Sequence, residues 1–178
     1  MSDSETESTP EEECIFSDEL DPNFKFEVAK EHGGDAIKYC FQCGTCAAGC
    51  PIRTISSDFN PRTIIRKILL GMRKEVLTGK EIWMCSNCYT CYERCPQDVK
   101  FTDIIFALRN IAAREGYAHK SFIKQAELIR DMGRLYEVTE LELEKRENNK
   151  LPPIRPQNDD LIKIFEKTKI MEKIKKAK

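Results

Sequence analysis

An all-α fold is what the sequence predicts, and three observations carry the prediction. Two cysteine loops of identical spacing, starting at Cys40 and Cys85, are separated by 34 residues, 51–84, that hold helix starts and stops. Beyond the second loop, apolar residues recur at helical intervals. Proline and glycine mark the ends of these stripes.

Residues 1–13, MSDSETESTPEEE, have the acidic, Ser/Thr-rich composition of a disordered tail. Ile15, Phe16, Leu20, Phe24 and Phe26 then predict an ordered arm lying on the body or on a partner, with Cys14 a small apolar contact. Gly33 and Gly34 break any helix, and Asp35 caps a short turn, 36–39, that delivers Cys40. Pro51 is expected to end the first loop. Asn60-Pro61 starts a helix with Ile64, Ile65, Ile68 and Leu69 as its stripe and Gly71 as its close. A short turn at 73–77 follows, and Ile82-Trp83-Met84 brings an apolar wall to Cys85.

After the second loop, Thr102-Asp103 begins a helix carrying Ile104, Ile105, Leu108, Ile111 and Ala112 on one side and ending at Gly116. Another runs over 120–134 with Phe122, Ala126, Ile129 and Met132 in register. Thr139 and Glu142 form a capping box for a short charged helix within 136–150. LPPIRPQ, 151–157, reads as an extended spacer. A last helix, capped by Asn158-Asp159-Asp160, aligns Leu161, Ile164, Phe165, Met171 and Ile174. Beyond such a spacer this helix is expected to leave the small core and bind a groove of a partner. Four segments result: a tail and arm, 1–23; a two-loop domain, 24–118; a helical extension, 119–150; and the spacer with the C-terminal helix, 151–178.

The cysteines decide the chemistry. Cys40, Cys43, Cys46 and Cys50 repeat the spacing of Cys85, Cys88, Cys91 and Cys95, each set ends in proline, and eight of the nine cysteines are used. Zinc knuckles pair C-x2-C units across a spacer, whereas four cysteines packed in one loop and ending in proline are the iron-sulfur pattern. With no position replaced, two 4Fe-4S clusters are predicted. In two-cluster proteins the fourth cysteine serves the other cluster, which pairs Cys40, Cys43 and Cys46 with Cys95, and Cys85, Cys88 and Cys91 with Cys50. The charged fraction of 33% leaves limited material for a core, so cluster binding is expected to supply folding energy. The first loop is rich in glycine and alanine while the second carries Tyr89, Tyr92, Glu93 and Arg94, so the two sites are expected to differ in hydration and local charge.

Other classes fall away. Neither a signal peptide nor a stretch of some eighteen apolar residues is present, so a soluble, cytoplasmic protein without a membrane partner is expected. Nine of the 30 acids lie in residues 1–21, which hold no base, leaving 21 acids against all 29 bases in the remainder. Those bases are spread along helical segments with few interleaved aromatics and no recognition motif, so they read as solvated faces and docking surface, not a nucleic-acid site. His32 and His119 lie apart and read as ordinary polar residues. No glycine fingerprint for a flavin or nicotinamide and no nucleophile paired with a base is present, so no catalytic residue is assigned and the chain is expected to carry electrons only.

The strings VAKEHGGDAIKYCFQCGTCAAGCP and NPRTIIRKILLGMRKEVLTGKEIWMCSNCYTCYERCP, with Leu108-Arg109 at the middle of the next helix, resemble the iron-sulfur C subunit of the CoB-CoM heterodisulfide reductases of methanogenic archaea. The resemblance spans residues 24–118 and includes all eight ligand positions. It implies an α-helical ferredoxin fold and a non-catalytic role in an oxidoreductase complex of methanogenesis. In that role the chain relays single electrons from the flavin-containing A subunit to the catalytic B subunit, which reduces the mixed disulfide of coenzymes M and B. In the cytoplasmic form it further implies a hydrogenase or formate dehydrogenase feeding the flavin-containing subunit, whose flavin bifurcates electrons. The same two-loop domain occurs in the glycerol-3-phosphate, succinate/fumarate and lactate types of anaerobic dehydrogenase, and a relay subunit of one of these is the alternative. Those relatives add a Cys-Cys-Gly catalytic region or a 2Fe-2S domain, neither of which is expected from a chain with no cysteine after Cys95 and only Cys14 before Cys40.

Overall fold

The structure is a computed structural model that describes residues 16–154 and 159–175. The acidic tail, Cys14, Ile15, most of the spacer's second half and the capping Asn158 lie outside the described residues. Among the described residues every regular element is helical.

The arm is a 3-10 turn, Ser17–Glu19, held by backbone rather than by its aromatics. Phe16 and Phe26 are exposed, against the expectation that they pack, while the Asp21 N–H donates to the Gly71 carbonyl at 2.8 Å. Gly71 has φ of 85°, and a Cβ there would stand 2.4 Å from the Asp21 carbonyl oxygen, so only glycine permits this approach. Helix α1, Phe24–Lys30, follows where only an arm was expected; Phe24 and Val28, one turn apart, are both buried. A second 3-10 turn, Asp35–Tyr39, buries Ile37 and delivers Cys40.

Helix α2, Thr45–Ala48, closes the first loop, and α3, Pro51–Ile55, opens directly from it. Pro51 therefore does not stop the chain as expected. At the first position of a helix its missing N–H has no partner to lose, so it starts one. Helix α4, Pro61–Leu70, has its predicted cap, with Asn60 Oδ1 accepting from the Arg62 and Thr63 N–H groups, and buries Ile64, Ile65 and Ile68. Helices α5, Arg73–Thr78, and α6, Glu81–Met84, lead to the second loop, where α7, Thr90–Glu93, repeats α2.

Helix α8, Phe101–Arg114, is the axis of the domain. It buries Phe101, Ile104, Ile105, Leu108 and Ile111, and α1, α5, α6 and α7 pack on it. Arg73 bridges three elements at one end, its guanidinium held by Glu27 at 2.8 Å and by Glu115 at 3.0 Å. Cys40, Cys50, Cys85, Cys91 and Cys95 pack against the same core, so both cysteine loops grow out of it.

The C-terminal elements form an outer layer without buried residues in α9, Lys120–Met132, or α10, Glu140–Asn148, whose capping box is Thr139 with Glu142 as predicted. The last helix is two, α11, Asp159–Thr168, and α12, Ile170–Lys175, broken at Lys169, which has a left-handed φ of 53°. Both fold back, α11 and α12 onto α9 and α12 also onto α8. The expectation that this segment lies away from the body is thereby corrected. Ile162, Phe165 and Met171 share a groove with Arg130 of α9.

Candidate metal centre

The two cysteine loops are conformational copies. Gln42 and Asn87 occupy equivalent positions with φ of 61° and 53°, and Gly44 and Tyr89 with 85° and 62°. Left-handed residues in a tight loop turn backbone N–H groups to one side, the concavity that receives anionic sulfur. One residue later, the Thr45 hydroxyl pairs with Cys43 Sγ at 3.3 Å and the Thr90 hydroxyl with Cys88 Sγ at 3.5 Å. Neither threonine stands out in the sequence until CGTC is aligned with CYTC.

The helices place the eight thiols around two cavities. Cys40, Cys43, Cys46 and Cys95 line the first, walled by Ile65, Val99 and Phe101. Cys50, Cys85, Cys88 and Cys91 line the second, walled by Ile52, Phe59 and Phe101. Each loop thus sends its last cysteine to the other cavity, while Cys91 and Phe101 border both. Gly49 lets the loops approach: a Cβ on it would lie 3.3 Å from Thr90 Cγ2 and 3.0 Å from Arg94 Nη1.

Hydrogen bonds converge on sulfur. The Val99 N–H donates to Cys95 Sγ at 3.3 Å, Gln42 Nε2 to Cys40 Sγ at 3.4 Å, and the hydroxyl of Thr102, a buried polar residue of α8, pairs with Cys91 Sγ at 3.5 Å. Gln42 and Asn87 each keep a buried side-chain oxygen without a partner. Turning the Asn87 amide presents its NH2 there instead, a donor suited to sulfide.

Electrostatics separate the inner thiols from the outer. Burial pushes Cys46 up to about 11, with the charges of Cys40 and Cys91 adding to it. Burial also raises Cys85 and Cys91, and in both Cys50 adds repulsion. Cys43 and Cys88, both exposed, are lowered, chiefly by the hydrogen bonds from Thr45 and Thr90. Several thiolates in one apolar cavity cannot all ionise unless a cationic core sits among them. The thiols lining each cavity supply the four thiolates that a 4Fe-4S cluster takes.

Arg109 is the one charged group driven into this region from α8. Its Nε donates to the Ile82 carbonyl at 2.8 Å and its Nη2 to the Cys85 carbonyl at 2.9 Å, with the rings of Trp83 and Phe122 within 6 Å. Burial lowers its pKa while the Cys85 thiolate opposes that shift. A half-buried cation favours whichever state of the adjacent centre is more negative. Arg109→Met is expected to lower the midpoint potential of one cluster and leave the other in place, read by an EPR-monitored redox titration. Two unshifted potentials would refute this. His119, by contrast, caps α9, its Nδ1 accepting the Ser121 N–H at 3.3 Å.

Comparison with known proteins agrees with this chemistry. Residues 36–99 match the family described as 4Fe-4S dicluster domain. The iron-sulfur C subunit of the CoB-CoM heterodisulfide reductase of Methanopyrus kandleri is 34% identical over 172 residues, covering 93% of this chain and 89% of that protein. An iron-sulfur C subunit of the same enzyme from Methanocaldococcus jannaschii is 48% identical over 109 residues, 57% of this chain and 58% of its own. The C subunit of the ferredoxin:CoB-CoM heterodisulfide reductase of Methanosarcina mazei is 36% identical over 127 residues, 71% and 77% of the two chains. The cofactors are two 4Fe-4S clusters.

Proposed function

The chain belongs to the family of CoB-CoM heterodisulfide reductase C subunits, iron-sulfur subunits of an oxidoreductase, and we propose that it is the electron relay of such a complex. In this reading it takes single electrons from the flavin-containing subunit and hands them to the catalytic subunit, where the disulfide of coenzymes M and B is reduced. A hydrogenase or formate dehydrogenase supplies the flavin-containing subunit in the cytoplasm. No helix among the described residues is long and apolar enough to cross a membrane.

The observation that carries the reading is the adjacency of the cavities, which meet at Cys91 and Phe101. The bound clusters supply one-electron carriers. Cys40, Cys43, Cys46 and Cys95 hold one, and Cys50, Cys85, Cys88 and Cys91 hold the other. Phe59, Ile65 and Phe101 keep water from the inner sulfurs, all three being buried. The Val99 N–H donates to Cys95 Sγ, and the hydroxyls of Thr45 and Thr102 pair with Cys43 Sγ and Cys91 Sγ, contacts that bear on the charge at sulfur and so on the potential.

Anaerobic isolation from the native host tests the assignment. The flavin-containing and catalytic subunits are expected to co-purify with the chain, and the complex to show two reversible low-potential EPR signals. Heterodisulfide reduction by those two subunits at full rate without this chain would sink the proposal.

A further inference from the structure

Three guanidinium groups ring helix α2, on the first cysteine loop. Arg53 and Arg62 line an open groove floored by Gly44, Ala47 and Ala48. A Cβ on Gly44 would lie 3.7 Å from Arg62 Cδ, and one on Gly49 3.0 Å from Arg94 Nη1, so Arg62 and Arg94 lie across the loop's two glycines. All three arginines are exposed, and among the described residues none of them forms an ion pair.

Elsewhere several cations near the loops are paired. Arg73, Arg114 and Arg130 each hold a carboxylate, as do the lysines 67, 80 and 100 around the loops. Asp58 is engaged by Lys80 and Asp98 by Lys100. Like charges gathered without a counter-ion repel, and the planar forks of arginine match carboxylates. The patch also belongs to the first cavity: Arg62 lines it, and Phe41 on the same wall is 60% exposed. Small residues beneath the arginines let another backbone come close to that cavity.

We propose that Arg53, Arg62 and Arg94 dock an acidic segment of the protein that exchanges electrons with the first centre, with Phe41 as the apolar contact beside them. This rests on the relay reading and deepens it, since it selects which face of the chain meets a partner and by what chemistry. Charge complementarity of this kind acts mainly on the rate of encounter and weakens with salt.

The test uses the full-length, cluster-loaded chain against the purified flavin-containing subunit and the purified catalytic subunit, with association rates followed across salt concentrations. R53E/R62E/R94E is expected to slow association with one of the two by about tenfold or more at low salt and to flatten its salt dependence. Iron content should be unchanged, and K145E on α10 should bind as the parent does. If the parent binds and the triple variant binds both partners at the same rate with the same salt dependence, the patch is not the docking site. If the parent binds neither partner, the relay reading falls and takes the patch with it. Self-association that the reversals abolish, with binding to both partners intact, would make a second copy the occupant and overturn the proposal.

Discussion

Cys95→Ser is expected to remove the cluster of the first loop, not that of the loop in which Cys95 stands. Cys95 lines the cavity with Cys40, Cys43 and Cys46, and its Sγ is oriented there by the Val99 N–H. Serine keeps the size but supplies a hard oxygen in place of a soft thiolate. The single variant should fall from about eight iron atoms per chain to about four. Double variants make the test decisive. C40S/C95S should lose no more iron than C95S, because both act on one cluster, whereas C85S/C95S should lose both clusters. Retention of about four iron atoms by C85S/C95S would establish ligation within each loop and overturn the crosswise assignment.

Removing iron altogether is expected to abolish the cooperative fold. Five cysteines pack on the core, and Phe101, with Phe59 edge-on to it at 6.4 Å, stands where the two cavities meet. Without iron the inner thiols lose their ligand and return to being buried groups that repel one another when ionised. Metal binding at structural sites contributes on the order of 10 kcal/mol, comparable to the whole stability of a domain this size. Chelated protein should therefore lose the near-UV circular dichroism of Trp83, bind a hydrophobic dye and melt without a sharp transition while helical signal persists. A cooperative melt at the native midpoint would show that the apolar core suffices.

Much of this is legible where cause and effect are close in the chain. Asn60-Pro61, Gly71, Gly116 and the Thr139–Glu142 box stand where caps are required, because capping is a matter of one helical turn. The α8 stripe is buried as its period predicts. Helix α1 escapes a reading of the sequence because FKFEVAK mixes exposed Phe26 with buried Phe24 and Val28, and hydropathy alone does not say which phenylalanine faces in. Arg94 belongs by sequence to the second loop; its side chain lies over Gly49, so its charge dresses the first. Tyr89 looks like mere bulk, yet it takes the left-handed conformation that Gly44 takes in the other loop and meets Tyr92 edge-on at 5.8 Å.

By itself the sequence determined the metal chemistry, the helical class and the caps, because ligand spacing and capping are local and a cluster accepts few alternatives. Only the tertiary structure decided that α11 and α12 return to the body, that Arg109 reaches the carbonyl of Cys85, and that three unpaired arginines gather on α2. Each joins residues distant in the chain or sums charges from separate elements. Such meetings depend on how helices pack around α8, which no single stretch of the chain encodes. The repeated cysteine loops lie between these cases: their spacing named the cofactor, and the packing of α2 against α7 brought each loop's last thiol to the other's cavity.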